Sequence, residues 1–445
     1  MPAPNWANRS LWTGDNLPIL RGMNTASVDL IYLDPPFNSK RDYAAPIGSE
    51  AAGAEFKDTW SLSDIDAEWA NLIEAKHPHL YRVLLAAMTA SDKSYLIYMA
   101  ARLLELHRVL KPTGSIYLHC DPTMGAYLKL LMDAVFGRRR FRNEIVWKRF
   151  NFHADAKRFG TITDRLLFYA AGDECTSNPV RVPYSAEYIA SKFRHEDGDG
   201  RRFRLDNLNP PGGRGPVYEF HGVTKAWRMT REKMEALDAE GRIYTKSRVP
   251  QLKRYLDEMP GQAVPDIWTD VPPINPAAKE RVGYPTQKPL ALLRRIVAAS
   301  SNEGDIVLDP FAGCATACIA AEDLGREWGG IDVSAKAAEL VRFRLYKEVG
   351  WTGEIAHRTD IPKRTDLGKL PPYRSHKPTL YGLQSGNCAG CGTHFEARHF
   401  EVDHIIARGK GGTDHIDNLQ LLCGHCNSVK GDRGMEYLMS KLQLQ

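Results

Sequence analysis

Asp34-Pro35-Pro36-Phe37 combines residue types that could grip a ligand. It follows the apolar run Val28-Asp29-Leu30-Ile31-Tyr32-Leu33, which reads as a buried strand of a parallel sheet. The carboxylate is therefore expected at a strand's C-terminal end, where open α/β sheets place their ligands. Two successive prolines fix two φ angles and remove two N–H donors, leaving the carbonyls of Asp34 and Pro35 turned outward. An acid, two carbonyl acceptors and an aromatic face suit a planar group that carries an exocyclic NH2. Alone, the motif is equally well an acidic strand end followed by a stiff turn.

A second stretch, Asp309-Pro310-Phe311-Ala312-Gly313, lies between the strand Asp305–Asp309 and a helix. Gly313 lets the backbone approach a ligand closely, and the helix N-terminus behind it favours a negative group. About 20 residues on, Asp332 ends the next strand, a spacing that sets a carboxylate on ribose hydroxyls in nucleoside-binding Rossmann-like units. There is no G-x-G-x-x-G, so a dinucleotide fits poorly. A nucleoside with a compact charged tail, S-adenosylmethionine, fits better.

Cys388, Cys391, Cys423 and Cys426 form two CxxC pairs with 31 residues between them. In a reducing compartment this spacing indicates a closed four-thiolate zinc site rather than disulfides. Between and after the pairs lie Asp403-His404, Asn418 and Asn427. A domain of about 60 residues has little core, so the metal would supply much of its folding energy. Cys120, Cys175, Cys314 and Cys318 read as small core side chains or bystanders.

The elements that must position these residues follow an α/β rhythm. Strand, helix and strand occupy residues 8–37. The apolar spacing Tyr95, Met99, Leu103, Leu106, Leu110 predicts a helix, which Lys111-Pro112-Thr113-Gly114 should stop before the strand Ser115–Asp121 and a helix from Ala126 to Phe136. Residues 38–75 form a long polar loop. Between Arg138 and Arg158, eight basic residues against two acidic ones, with Phe141, Trp147, Phe150 and Phe152 interleaved, suit a phosphate-tracking surface with stacking platforms. The rhythm fails over 172–283, rich in Arg, Gly and Pro, where a separate recognition lobe is expected, and resumes with a helix from Leu290 and a strand into Asp332. The Pro-containing stretch 366–383 reads as a linker. The chain has 445 residues with 43% hydrophobic and 25% charged content, and a net charge of +5 only permits a polyanionic partner. No apolar run approaches the roughly 18 residues of a membrane span, and no signal peptide is evident, so a cytoplasmic protein is expected.

In this order the motifs resemble the amino-group DNA methyltransferases of the permuted β class, over roughly residues 8 to 365. The resemblance implies an α/β, Rossmann-like S-adenosylmethionine-dependent fold with a methyltransferase catalytic half (1–171), an inserted target-recognition region (172–283) and a cofactor-binding half (284–365). It implies that Asp34, Pro35, Pro36 and Phe37 are catalytic. Thr286, Gln287, Lys288 and Pro289, Asp309 to Gly313, and Asp332 would bind the cofactor. Cys314-Ala315 replaces the commoner Ser-Gly, trimming one hydroxyl contact, and Asp360 is a weaker candidate for a pocket acid. The implied reaction flips a base from double-stranded DNA, stacks it on Phe37, and accepts its amino hydrogens on Asp34 and the Pro35 carbonyl. Members with Asp first usually methylate adenine N6, whereas Ser is commoner among cytosine N4 enzymes. Trp227-Arg228 and Arg201-Arg202 in the middle lobe are candidate DNA contacts, and members of the family are often homodimers.

Residues 384–445 resemble the HNH (ββα-metal) nucleases. His404 would be the general base, with Asp403 and Asn427 on a divalent ion such as Mg2+. Asn418 would brace the loop that orients His404, and Lys430 would touch phosphate. The expectation is a restriction–modification enzyme that methylates adenine and cuts DNA. The alternatives are a solitary methyltransferase whose tail only binds DNA, or a nuclease directed at modified DNA.

Overall fold

Nine runs of mostly aliphatic and aromatic residues become strands: β1 (Ser10–Thr13), β2 (Val28–Leu33), β3 (Leu110–Cys120), β4 (Phe141–Lys148), β5 (Thr163–Ala170), β6 (Ile267–Trp268), β7 (Ile306–Asp309), β8 (Glu327–Asp332) and β9 (Ala356–Arg358). They join in one sheet in the order β6-β4-β5-β3-β2-β7-β8-β1-β9. Every neighbouring pair is parallel except the two made by β5, which runs antiparallel to β3 and β4. The computed structural model describes the chain apart from residues 1–2, 39–42, 47–48, 53–54, 57, 61–69, 71–72, 75, 151–158, 276, 369 and 443–445.

Parallel strands are stable when helices cover their faces. Here α1 (Asn16–Gly22), α2 (Ala90–Val109) and α3 (Pro122–Phe136) pack together, and α4 (Leu290–Ser300) packs on α5 (Thr316–Asp323). Asp15, Thr89 and Asp121 cap the first three by accepting from backbone N–H groups of the opening turn, which fixes where each helix leaves its strand. Trp12, Leu20, Ile31, Tyr95, Leu103, Leu118 and Leu308 share one buried core.

Register aligns the ends that matter. Leu308 pairs with Ile31, Asp309 with Gly330, and Asp332 with Thr13, so the C-terminal ends of β2, β7, β8 and β1 lie side by side.

Three expectations are corrected. The helix does end before residues 111–114, at Val109, but the strand starts at Leu110 and not at Ser115, running through them with a register shift between Val28 and Leu30. The basic, aromatic stretch after Arg138 is largely β4: Trp147 is buried, its indole N–H donating to the Val271 carbonyl at 2.9 Å, and Phe141 packs on Tyr169. Phe150 remains exposed, and Phe152 lies outside the described residues. The stretch 366–383 is also more than a linker. It contains the helix Lys377–Leu383, which buries Leu380 in the C-terminal core because that small core has few other apolar side chains to use.

A separate compact unit spans Pro179–Pro265, narrower than 172–283, since Ile267 and Trp268 pair with β4. It has a four-stranded antiparallel sheet and a core of Leu208, Phe220, Trp227, Met234, Ile243 and Leu252. Trp227 is thus a core residue and no DNA contact, and Arg201 is held by Asp257 and Glu258; Arg202 and Arg228 are exposed.

At the C-terminus an antiparallel pair, β10 (Phe400–His404) and β11 (Leu419–Cys423), leads into the short helix Gly424–Lys430, a ββα unit. Among the described residues no helix is long and apolar enough to cross a membrane.

Candidate active site

The aligned strand ends open into a cavity of about 270 Å³ that Asp34, Pro35, Pro36, Phe37, Thr286, Gln287, Lys288, Asp332 and the whole turn from Asp309 to Gly313 help to line. Of the residues expected there, Pro289 lies outside the lining and instead opens α4 as its N-cap. Gln287 reaches the cavity, but its side-chain amide is committed to the backbone of Val282 and Glu280. Asp360 is exposed, paired with Arg358, and does not line the cavity.

At the catalytic-motif end, the Lys288 ammonium pairs with Asp34 Oδ2, donates to the Thr286 carbonyl at 3.2 Å and lies over the Phe37 ring. Asp34 Oδ1 is buried and has no partner among the described residues. Phe37 stacks on the fully buried His119, with ring centroids 6.1 Å apart. His119 Nε2–H donates to Asp164 at 3.1 Å, since a carboxylate only accepts, and Nδ1 shares a hydrogen bond with the Tyr32 hydroxyl at 2.9 Å. Burial alone would raise the Asp164 carboxyl, but the hydrogen bond and charge of His119, with Arg149 and Lys288, bring it down to about 2. Asn38, in the left-handed region at φ 58°, is pinned on three sides: its N–H donates to Asp58 at 2.6 Å, its amide to Asp92, and Ser91 donates to its oxygen. The exit of the motif is therefore fixed.

At the other end, Gly313 turns at φ 54° and donates its N–H to Asp332 Oδ2 at 2.7 Å; a Cβ here would sit 2.9 Å from the Tyr284 ring. Ser334 N–H binds the other Asp332 oxygen. Burial pushes Asp309 well above the usual carboxylate range, and Asp34 and Asp332 push it further. Burial also raises Asp332, against its two backbone hydrogen bonds. Asp34, Asp309 and Asp332 gathered on one cavity favour a cationic ligand.

Gly14, Asp15 and Asn16, at the end of β1, also line the cavity and were not singled out in the sequence. Arg102 holds Asp15 and Asn16 at 2.7 and 2.6 Å, and Asn16 donates to the Pro310 carbonyl at 2.7 Å. An Asp-Asn pair directly after a strand was the available signal. Cys314 lines the cavity too, its carbonyl held by the buried Arg344.

In the C-terminal unit the four sulfurs of Cys388, Cys391, Cys423 and Cys426 lie within 4.8 Å of one another, which fits a tetrahedral zinc with four thiolates. Backbone N–H groups of Gly390 and Cys423 point at Cys388 Sγ, as suits a charged sulfur. His404 Nε2 is bonded to Asp414 at 2.8 Å, with Tyr373 packed beside the ring. Asn418 ties together the loop after His404, accepting from Ile406 N–H and donating to the carbonyls of Ile406 and Thr413. Lys430 is buried against Asp403 and the His404 carbonyl, so it is a structural cation and not a phosphate contact. Asp403 also takes a hydrogen bond from Gln420, while Asn427 donates to Glu401. Among the described residues the thiols are the one cluster of three or more His, Cys, Asp or Glu ligand atoms.

Residues 28–343 match the DNA methylase family model of N6 and N4 enzymes, and residues 388–433 the HNH endonuclease model. The chain is 31% identical over 370 residues to the type II methyltransferase M.EcaI of Enterobacter cloacae, covering 81% of this chain and 74% of that protein. It is 25% identical to the DNA adenine methyltransferase YhdJ of Escherichia coli, over 82% and 92% of the two chains. Among solved structures, TTHA0409 of Thermus thermophilus in complex with S-adenosyl-L-methionine is 16% identical, covering 79% of this chain and 99% of that one with a TM-score of 0.39. The methylase match runs through most of the chain and takes in both cavity motifs: this chain belongs to the DNA methylase family, and it carries a C-terminal HNH endonuclease domain.

Proposed function

We propose that the methylase body transfers a methyl group from S-adenosylmethionine to the N6 amino group of an adenine flipped out of double-stranded DNA. The observation that carries this reading is Asp34 Oδ1, a buried acceptor without a partner among the described residues, in a motif whose Phe37 also lines the cavity. A buried polar atom left unpaired costs about 1–3 kcal/mol, which a donor on the ligand would recover. An exocyclic amino group stacked on Phe37 supplies that donor, and the Pro35 carbonyl is the second acceptor. S-adenosylmethionine supplies an electrophilic methyl on a sulfonium; transfer leaves a neutral thioether and one proton to be lost from nitrogen. Asp332 would hold the ribose, and the turn from Asp309 to Gly313, with Thr286, would hold the remainder. The chain's contribution is alignment of nitrogen and methyl, together with exclusion of water. Flipping the base costs roughly a few kcal/mol. Asp at the first motif position, and the adenine specificity named for YhdJ, support adenine over cytosine.

We further propose that zinc on the four thiolates folds the tail, and that His404, oriented by Asp414, acts as general base in DNA cleavage. The engagement of Asp403 by Lys430 and Gln420 favours a second reading, in which the tail binds DNA without cutting. Incubating the protein with unmodified and pre-methylated plasmid, with and without Mg2+ and labelled S-adenosylmethionine, separates them. Methyl incorporation into adenine with Mg2+-dependent cutting of unmodified plasmid supports the first reading. Incorporation without cutting supports the second, and cutting only of modified plasmid points to a nuclease directed at modified DNA. Absence of methyl transfer overturns the assignment of the cavity. The resemblance also supports a dimer, which sedimentation velocity would detect.

A further inference from the structure

Lys288 belongs by sequence to the segment that leads into the cofactor half, yet its side chain points to the other end of the cavity. It is 5% exposed, and its recorded hydrogen bonds go to Asp34 Oδ2 and the Thr286 carbonyl, with the Phe37 ring beneath the ammonium. An ammonium is a compact point charge with three donors. Here two of them are used: the bond to Asp34 and the ring contact tie the lysine to the catalytic motif, and the bond to the Thr286 carbonyl holds it to its own segment. The consequence falls on Asp34. A carboxylate free at both oxygens can rotate, and once protonated it donates where the amino group needs an acceptor. With Oδ2 held by a cation, the carboxylate cannot turn freely, and Oδ1 is the oxygen left without a partner among the described residues.

We propose that Lys288 is a positioning residue for the base to be methylated: it anchors Asp34 through one oxygen so that the other is aimed at the amino group. It is not a ligand of the methyl donor. The proposal rests on the base-gripping reading of Asp34.

The test compares Lys288→Met, Lys288→Arg, Asp34→Asn and the double variant Asp34→Asn/Lys288→Met. The measurements are S-adenosylmethionine binding by calorimetry and single-turnover methyl transfer to an unmethylated plasmid. In Lys288→Met the donor's dissociation constant should stay within about twofold, while the transfer rate falls about 10²-fold, as when one preorganised contact is lost. Lys288→Arg, which keeps the charge, should recover at least a tenfold share of that loss. Adding Lys288→Met to Asp34→Asn should change the rate by less than about twofold, because the two act as one unit. The neutral pair in the double variant also avoids a lone buried charge, so the cycle remains readable if Lys288→Met alone misfolds. Donor affinity weakened tenfold or more at an unchanged transfer rate overturns the proposal, and so do losses that multiply in the double variant. Full transfer by Asp34→Asn alone would instead overturn the base-gripping reading itself.

Discussion

Asp34 has one oxygen bound to Lys288 and one, buried, without a partner among the described residues, so replacing its charge while keeping its shape is the most informative single change. Asp34→Asn should lower methyl transfer by about 10²–10³-fold with donor binding retained, measured by calorimetry beside a labelled-methyl assay. Behind it, Tyr32, His119 and Asp164 form a buried chain that was not legible in the sequence. Each sits on a different strand and looks like an ordinary core position; only the pairing of β2, β3 and β5 brings them together under Phe37. Asp164 has a pH signature. Its carboxyl at about 2 lies below its ordinary 3.8, so its interactions stabilise the fold above about pH 4, and that contribution fades as pH falls toward about 2. The shift corresponds to about 2 kcal/mol. Urea unfolding of Asp164→Asn at pH 3 and pH 7 should show a loss of that order at pH 7 and roughly half of it at pH 3. An equal loss at both would show that the charge is not what matters.

Among elements, the turn between β7 and α5 is the one whose geometry the sequence announced. A glycine was required there, and the structure shows why: the left-handed backbone and the Tyr284 ring both exclude a side chain. Gly313→Ala should cost about 1 kcal/mol of backbone strain and displace Tyr284 or the turn, weakening donor binding about tenfold or more in calorimetry. Unchanged affinity would mean that the donor does not lie against this turn. β4 was less legible for a specific reason. Its inward residues Ile145 and Trp147 alternate with Glu144, Val146 and Lys148, but the arginines before it made charge the dominant pattern. Arg140 and Arg142 instead bond to Asp173 at the edge of the body. The helix at Lys377–Leu383 was hidden in the same way, by the prolines around it.

At the scale of the whole molecule, the methyl-transfer cavity takes no lining residue beyond Val333, whereas the tail's buried core includes three of its four zinc-site cysteines. Stripping zinc with a strong chelator should therefore unfold the tail and abolish any cutting while methyl transfer persists. Hydrogen exchange over residues 384–442, run beside the methylation assay, reads both at once. His404→Ala should separate the activities with the tail still folded; loss of both would refute two independent sites. Both chemical modules could be named from their motifs, because those rest on local spacing. The state of Asp403 could not, since it depends on Lys430 folding back from a helix 27 positions later. A last consequence concerns the order of the motifs along the chain. β1 lies beside β9, and the Asn5 amide donates to the Lys363 carbonyl at 2.8 Å, so the beginning and end of the methylase body touch. Such a body is a ring with one cut, and the cut decides which motif a ribosome reaches first. Joining the ends near Asn5 and Lys363 and reopening the chain within Pro179–Pro265 would put the donor loop first and the base grip second. No strand of the large sheet would change its neighbour.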